Sequence, residues 1–170
     1  MNKKLIIVSG YFNPLHIGHI DYFENAKKGF DKLIVIVNND FQRKLKGSKE
    51  FMLEDERVSI INALSITDKV FLSVDKDRSV SKTINKIYLL YNGEYDIFFG
   101  NGGDQSSKNV PENKICKELG VKLIDGLGEK IQSSSWLLNK KQWVENKYAV
   151  LEQVMLEVQR WLSWQVNVLI

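Results

Sequence analysis

Five short apolar runs, LIIV (5–8), LIVIV (33–37), KVFLSV (69–74), DIFFG (96–100) and VKLID (121–125), punctuate this 170-residue chain and constrain its fold more than any other feature. Continuous runs of Val, Ile, Leu and Phe suit strands that are buried on both faces. Between them, segments 18–29, 53–65, 79–91 and 111–119 carry apolar residues at three- and four-residue spacing, the period of a helix. Strands alternating with helices imply right-handed crossovers and a parallel sheet. The expectation is a doubly wound α/β domain of about five parallel strands, residues 1–141. Pro111 and Glu112 are expected in the first turn of the fourth helix, where a missing N–H costs nothing and a negative charge is favoured.

Residues 142–170 differ, because the strand pattern stops and one helical pattern runs on. Val144, Tyr148, Leu151, Met155, Val158 and Leu162 recur at alternating four- and three-residue spacing, the seam of a coiled coil or of a docked helix. Self-association through this C-terminal helix, giving a homodimer, and packing on its own domain both fit the pattern. Its polar face is not basic, which argues against a membrane-surface helix.

Composition excludes several classes. The balance of 24 basic and 21 acidic residues, net +3, is too mild to point to nucleic acid but suits an anionic small substrate. One cysteine, Cys116, forms no disulfide framework within the chain and no thiolate metal site. The N-terminal residues have too short an apolar run for a leader or a membrane span, so a cytoplasmic setting is expected.

The chemistry concentrates after the first run. Both histidines, His16 and His19, fall in GYFNPLHIGH, Gly10 to His19. A strand emptying through a loop into a helix puts that loop where open α/β sheets bind ligands. A helix amino terminus, with its free N–H groups, favours phosphate. Two imidazoles add donors for charge developing on phosphate oxygens, and Gly10 and Gly18 fit backbone passing close to a phosphate.

This ten-residue pattern resembles the signature of the HxGH nucleotidyltransferase superfamily, which includes cytidylyltransferases, pantetheine-phosphate, nicotinate-nucleotide and heptose-1-phosphate adenylyltransferases. The resemblance implies a Rossmann-like fold, with Tyr11, Phe12 and Asn13 beside the glycines as nucleotide-binding residues. It also implies transfer of AMP or CMP from ATP or CTP to a sugar-phosphate or polyol-phosphate acceptor, with pyrophosphate released and Mg²⁺ carried on the phosphates rather than in a protein metal site. A pantetheine-phosphate or nicotinate-nucleotide type, to which Asn13 and Pro14 are similar, and a non-catalytic nucleotide-binding module are the alternatives.

Four further segments extend the resemblance. VNNDFQRKLKG (37–47), taken as a loop, is similar to the N-S-D…R-L-K-G stretch of heptose-phosphate adenylyltransferases and to the lysine-bearing loop of glycerol-3-phosphate cytidylyltransferases. It implies Asp40 at the nucleotide, and Lys46 with Lys44 on the phosphates. In LEDERVSIINAL (53–64), Arg57 either pairs with Glu54 one turn back or, as the superfamily implies, faces the site as a phosphate ligand. FFGNGGDQSS (98–107) supplies Gly100, Gly103 and Asp104 near ribose, base or metal. In EKIQSSSWLL (129–138), Ser133, Ser134 and Ser135 match a run that binds distal phosphates, although the flanking basic residue common in the family is missing. The tetrad also reads HIGH, as in class I aminoacyl-tRNA synthetases. KGSK (46–49) lies too near the tetrad to be their second signature, and the length leaves no room for an anticodon-binding domain.

Overall fold

The computed structural model describes residues 2–102 and 111–127. Its elements run β1 (Lys3–Gly10), α1 (Ile17–Lys27), β2 (Lys32–Val37), α2 (Asp40–Lys46), α3 (Glu54–Asn62), β3 (Lys69–Leu72), α4 (Ser81–Tyr91), β4 (Tyr95–Gly100), α5 (Asn113–Leu119) and β5 (Lys122–Ile124). The five strands make one sheet in the order β3-β2-β1-β4-β5, with every pairing parallel. This is the doubly wound α/β fold expected. Residues 142–170, and with them the C-terminal helix, the dimer and the boundary at 141, lie outside the described residues.

Alternation along each strand divides the core between the two faces, as a period of two requires. Leu5, Ile7, Ile34, Ile36, Ile97 and Phe99 pack under α4 and α5 through Ile84, Ile87 and Cys116. Ile6, Val8, Leu33, Val35 and Val37 pack under α1 and α3 through Phe23, Ala26 and Ile61. Both faces of β1 and β2 are dry along their apolar runs, which is why those sequences read as unbroken, whereas β4 keeps Asp96 and Phe98 half-buried on one face.

The chain winds outward from β1 to β2 and β3, then returns to β4 on the other side of β1. The strand order thus reverses between β1 and β4. The carboxyl ends of those two strands mark the topological switch point at which such sheets take ligands.

Two details depart from the sequence expectation. Residues 40–46 form the helix α2 rather than a loop. Asn39 caps it by accepting from the Gln42 N–H at 2.9 Å, and Gly47 ends it in the left-handed conformation, φ 73°. The face this helix buries is Gln42 and Arg43, so no apolar period announces it. Pro111 and Glu112 precede α5 instead of opening it. Glu112 turns inward, accepts from the Val80 N–H at 2.9 Å at the start of α4, and has its carboxyl pKa raised chiefly by burial.

Candidate active site

The loop after β1 is built around Phe12 and Asn13, whose side chains are both 1% exposed. Phe12 has φ 50°, the left-handed region that a bulky residue rarely occupies. That turn folds its ring back under Gly10, where an added Cβ would come within 2.7 Å of the ring carbon Cζ. Gly10 therefore makes room for a neighbouring side chain. The ring meets His19 edge-on at 4.9 Å and Phe23 at 5.3 Å. Phe12 belongs to the floor beneath His19, not to the set of side chains that a nucleotide could touch.

Asn13 is likewise internal. Its Oδ1 accepts from the Phe51 and Met52 N–H groups, both at 3.0 Å, and its Nδ2 donates to the Lys49 carbonyl at 2.7 Å. It fastens the histidine loop to the segment between α2 and α3. The side-chain roles expected of Phe12 and Asn13 at the nucleotide give way to this bracing.

His16 sits at the N-cap of α1 and His19 one turn in, with the half-buried Gly18 between them. Their rings stack, centroids 3.7 Å apart and planes 20° apart. The His16 N–H donates to His19 Nδ1 at 3.3 Å. An accepting Nδ1 on a neutral ring places the proton on Nε2, which becomes a donor. Burial, reinforced by His16 and the Lys46 charge, lowers the His19 pKa to about 3. Burial also lowers that of His16. Both ring nitrogens of His16 are buried and have no hydrogen-bond partner among the described residues. Buried polar atoms are rarely left so. The site thus holds neutral imidazoles with unspent hydrogen-bonding capacity at the positive end of a helix dipole.

This depressed pKa has a consequence for stability. Above pH 6.5 His19 is neutral whether folded or unfolded; between about 6.5 and 3 the unfolded chain takes a proton that the folded one refuses. Stability attributable to His19 therefore falls as pH falls through that window. In urea denaturation at pH 7 and pH 5, wild type should lose more stability on acidification than His19→Asn. An equal loss in both proteins contradicts a buried neutral His19.

Lys46 comes to the same mouth from α2. It lies one helical turn beyond Gln42, whose carbonyl faces the Tyr11 hydroxyl at 3.5 Å, and its Nζ stands 4.3 Å from the centroid of the Tyr11 ring. Tyr11 and Lys46 are thus brought to His19, while Lys44, two residues back and exposed, falls on another side of the helix.

Arg57 and Asp40 occupy different ground from the one expected. Arg57 is 1% exposed. Its Nη1 donates to the Tyr11 and Asn38 carbonyls at 2.8 and 2.6 Å, its Nη2 to Asp40 Oδ1 at 2.6 Å and its Nε to the Met52 carbonyl at 3.3 Å. Rather than pairing with Glu54, it ties the histidine loop, the exit of β2 and the start of α2 together. Asp40 also takes the Glu54 N–H at 3.2 Å, while its own N–H donates to Glu54 Oε2 at 2.6 Å. Burial acts to raise the Asp40 pKa, but the Glu54 N–H and the Arg57 and Arg43 guanidiniums outweigh it and hold the carboxyl below the usual range. Four of the five Arg57 N–H groups and both Asp40 carboxylate oxygens are thus engaged within the protein, and the two residues brace the site.

Across the crevice, Tyr22 donates to the Gly100 carbonyl at 2.6 Å, and its ring lies 2.7 Å from where a Cβ on Gly102 would stand. It pins α1 to the exit of β4. The space opened by Gly100 is filled by Leu127, whose Cδ1 lies 2.3 Å from an added Cβ, so this glycine also serves packing. Gly103, Asp104, Ser133, Ser134 and Ser135 lie outside the described residues. No candidate carried Tyr22 or Gln42 at the sequence level. For Gln42 the Asn39-x-x-Gln42 spacing of a capping box was the available signal.

Among the described residues no three His, Cys, Asp or Glu side chains gather as a metal cage. Imidazole and ammonium donors do not suit Mg²⁺, which demands oxygen. The described residues therefore do not themselves fit a resident magnesium ion. No helix among them is long and apolar enough to cross a membrane.

A doubly wound sheet with a histidine pair at its topological switch point defines a nucleotide-handling α/β domain. The model of the cytidylyltransferase-like family matches residues 7–135, and the chain belongs to that family of nucleotidyltransferases. Similar curated proteins include the bifunctional protein HldE of Citrifermentans bemidjiense, 37% identical over 98 residues, which are 56% of this chain and 20% of that protein. HldE of Aliarcobacter butzleri is 32% identical over 74% of this chain and 25% of its own length, and HldE of Campylobacter fetus subsp. fetus 31% identical over 81% and 28%. The chain spans from 20% to 28% of the length of these relatives. Among solved structures, a lipopolysaccharide core biosynthesis protein from Thermoplasma volcanium shares the fold with TM-score 0.56 and 24% identity, covering 72% of this chain and 94% of its own.

Proposed function

We propose that the chain catalyses attack by a phosphate oxygen of a sugar phosphate or polyol phosphate on the α-phosphorus of ATP or CTP. The new bond joins the acceptor oxygen to that phosphorus, the bond to the β-phosphate's bridging oxygen breaks, and pyrophosphate leaves. A phosphate monoester has its second pKa near 6 and is already an adequate nucleophile at neutral pH. This accounts for a site with imidazoles and no carboxylate dyad among its described residues. His19, through Nε2–H, and His16 donate to α- and β-phosphate oxygens as charge builds on them. Lys46 adds its positive charge, and the α1 amino terminus its dipole. Any Mg²⁺ would enter on the nucleotide's own phosphates.

The single observation that carries this reading is the half-buried, stacked histidine pair at the α1 amino terminus, in which both His16 ring nitrogens are buried without a partner among the described residues. ATP and a heptose phosphate are the preferred pair, on the similarity of VNNDFQRKLKG and GGD to heptose-phosphate adenylyltransferases. Pyrophosphate release with ATP or CTP against a panel of phosphorylated sugars and polyols tests it; no release with any pair refutes it.

Lys46→Ala should raise the KM for nucleotide or acceptor about tenfold with the urea midpoint nearly unchanged, since an exposed lysine buries little and contributes charge to binding. Loss of folding with unaltered specific activity in the folded fraction would remove Lys46 from the site.

A further inference from the structure

One charged group at this mouth is absent from the machinery above. Arg78, in the segment between β3 and α4, donates through Nη2 to the Leu45 carbonyl at 2.8 Å. Leu45 lies three residues after Gln42 on α2, and the Gln42 carbonyl faces the Tyr11 hydroxyl. Tyr11 and Arg78 thus meet consecutive turns of the same short helix, and Lys46 stands over the Tyr11 ring. The Tyr11 pKa is raised by burial, with the Arg78 charge pulling against it and that of Glu112 adding to it, so both groups act on the hydroxyl. The segment that carries Arg78 is itself held firmly. Gln42 Nε2 donates to the Asp77 and Ser79 carbonyls at 2.9 and 2.6 Å, and the Ser79 N–H donates to Asp77 Oδ1 at 2.8 Å.

The placement is directional. Arg78 follows β3 at one edge of the sheet, whereas the crevice between β1 and β4 lies on the other side of β2. In-line transfer requires the attacking and leaving oxygens on opposite sides of the α-phosphorus. If the nucleotide occupies the switch-point crevice with its α-phosphate at His19, attack comes from the side where Tyr11, Lys46 and Arg78 stand.

We propose that Arg78 and Tyr11, flanked by Lys46, form the subsite for the acceptor's phosphate, and that Arg78 selects phosphomonoesters over neutral sugars and alcohols. This rests on the nucleotidyltransferase reading. One of the two Nη2 N–H groups is spent on Leu45, leaving the other edge of the guanidinium for two parallel bonds to a phosphate dianion, a geometry that lysine does not reproduce.

The test uses the full chain and inorganic phosphate as probe, titrated calorimetrically in the absence and presence of saturating ATP, beside a separate ATP titration. Phosphate should bind wild type in both states. Arg78→Ala should weaken phosphate binding at least tenfold, Arg78→Lys by less, with ATP affinity unchanged within about twofold. The subsite is overturned if wild type binds no phosphate, if Arg78→Ala binds it as well as wild type does, or if phosphate and ATP affinity fall together. The phosphate arms need no turnover. Absence of pyrophosphate release would therefore refute the reaction without touching the subsite, and loss of the subsite would leave the reaction standing.

Discussion

Replacing His19 with asparagine is expected to lower turnover by about two to three orders of magnitude, the usual effect of removing one preorganised donor from a developing oxyanion. Asparagine is the informative choice because its Oδ1 can still accept the His16 N–H that now bonds Nδ1 at 3.3 Å. The Nε2 donor disappears while the local brace is kept. His16→Ala should cost a similar factor, since its buried ring nitrogens have no partner among the described residues to lose. Steady-state pyrophosphate release with the productive substrate pair, alongside circular dichroism for folding, measures both. Near-normal turnover in His19→Asn would mean that the imidazole does not contact the reacting phosphates.

Removing Arg57 has the opposite signature. Arg57→Ala strands the Tyr11, Asn38 and Met52 carbonyls and leaves the partly buried Asp40 carboxylate without its 2.6 Å partner. Breaking a buried charged pair by deleting one member costs about 3–5 kcal/mol, a large share of a typical domain's stability. A urea midpoint well below that of wild type is expected, with Arg57→Lys recovering part of the loss but not the forked geometry. If Arg57→Ala instead keeps its midpoint and raises only the KM for nucleotide, then Arg57 is a phosphate ligand after all and the brace is incidental.

The contrast between these two residues shows what each level of information can decide. His16 and His19 were legible because a loop opening a helix after a buried strand restricts where their rings can point, and local geometry alone puts them at a helix amino terminus, the kind of place that favours an anion. Arg57 was not legible. Its partners are 46 residues away at Tyr11 and 19 away at Asn38, and nothing local to α3 distinguishes an arginine turned inward from one turned toward a ligand. The same holds for Phe12 and Asn13. They share the motif with the histidines, yet a positive φ at Phe12 turns one ring under Gly10, and the 49–52 segment claims the other side chain. A motif records which residues must be present; it does not record which of them face the ligand.

By itself, then, the sequence determined the sheet. Unbroken apolar runs admit burial on both faces, alternation with helices admits parallel pairing, and the crossover rule fixes the hand. It also determined the location of the histidine pair, because the motif that carries both rings follows a strand and opens a helix. What only the tertiary structure decided was which of the polar residues are spent on bracing. α2 is the clearest case, because it buries Gln42 and Arg43 and its position depends on Asp40, Arg57 and the β3–α4 segment. Polar contacts of that kind carry no periodicity, since they are satisfied by carbonyls and carboxylates brought near from distant parts of the chain. Lys46, Tyr11 and Arg78 share one mouth for that reason, and their proximity exists only once the sheet has formed.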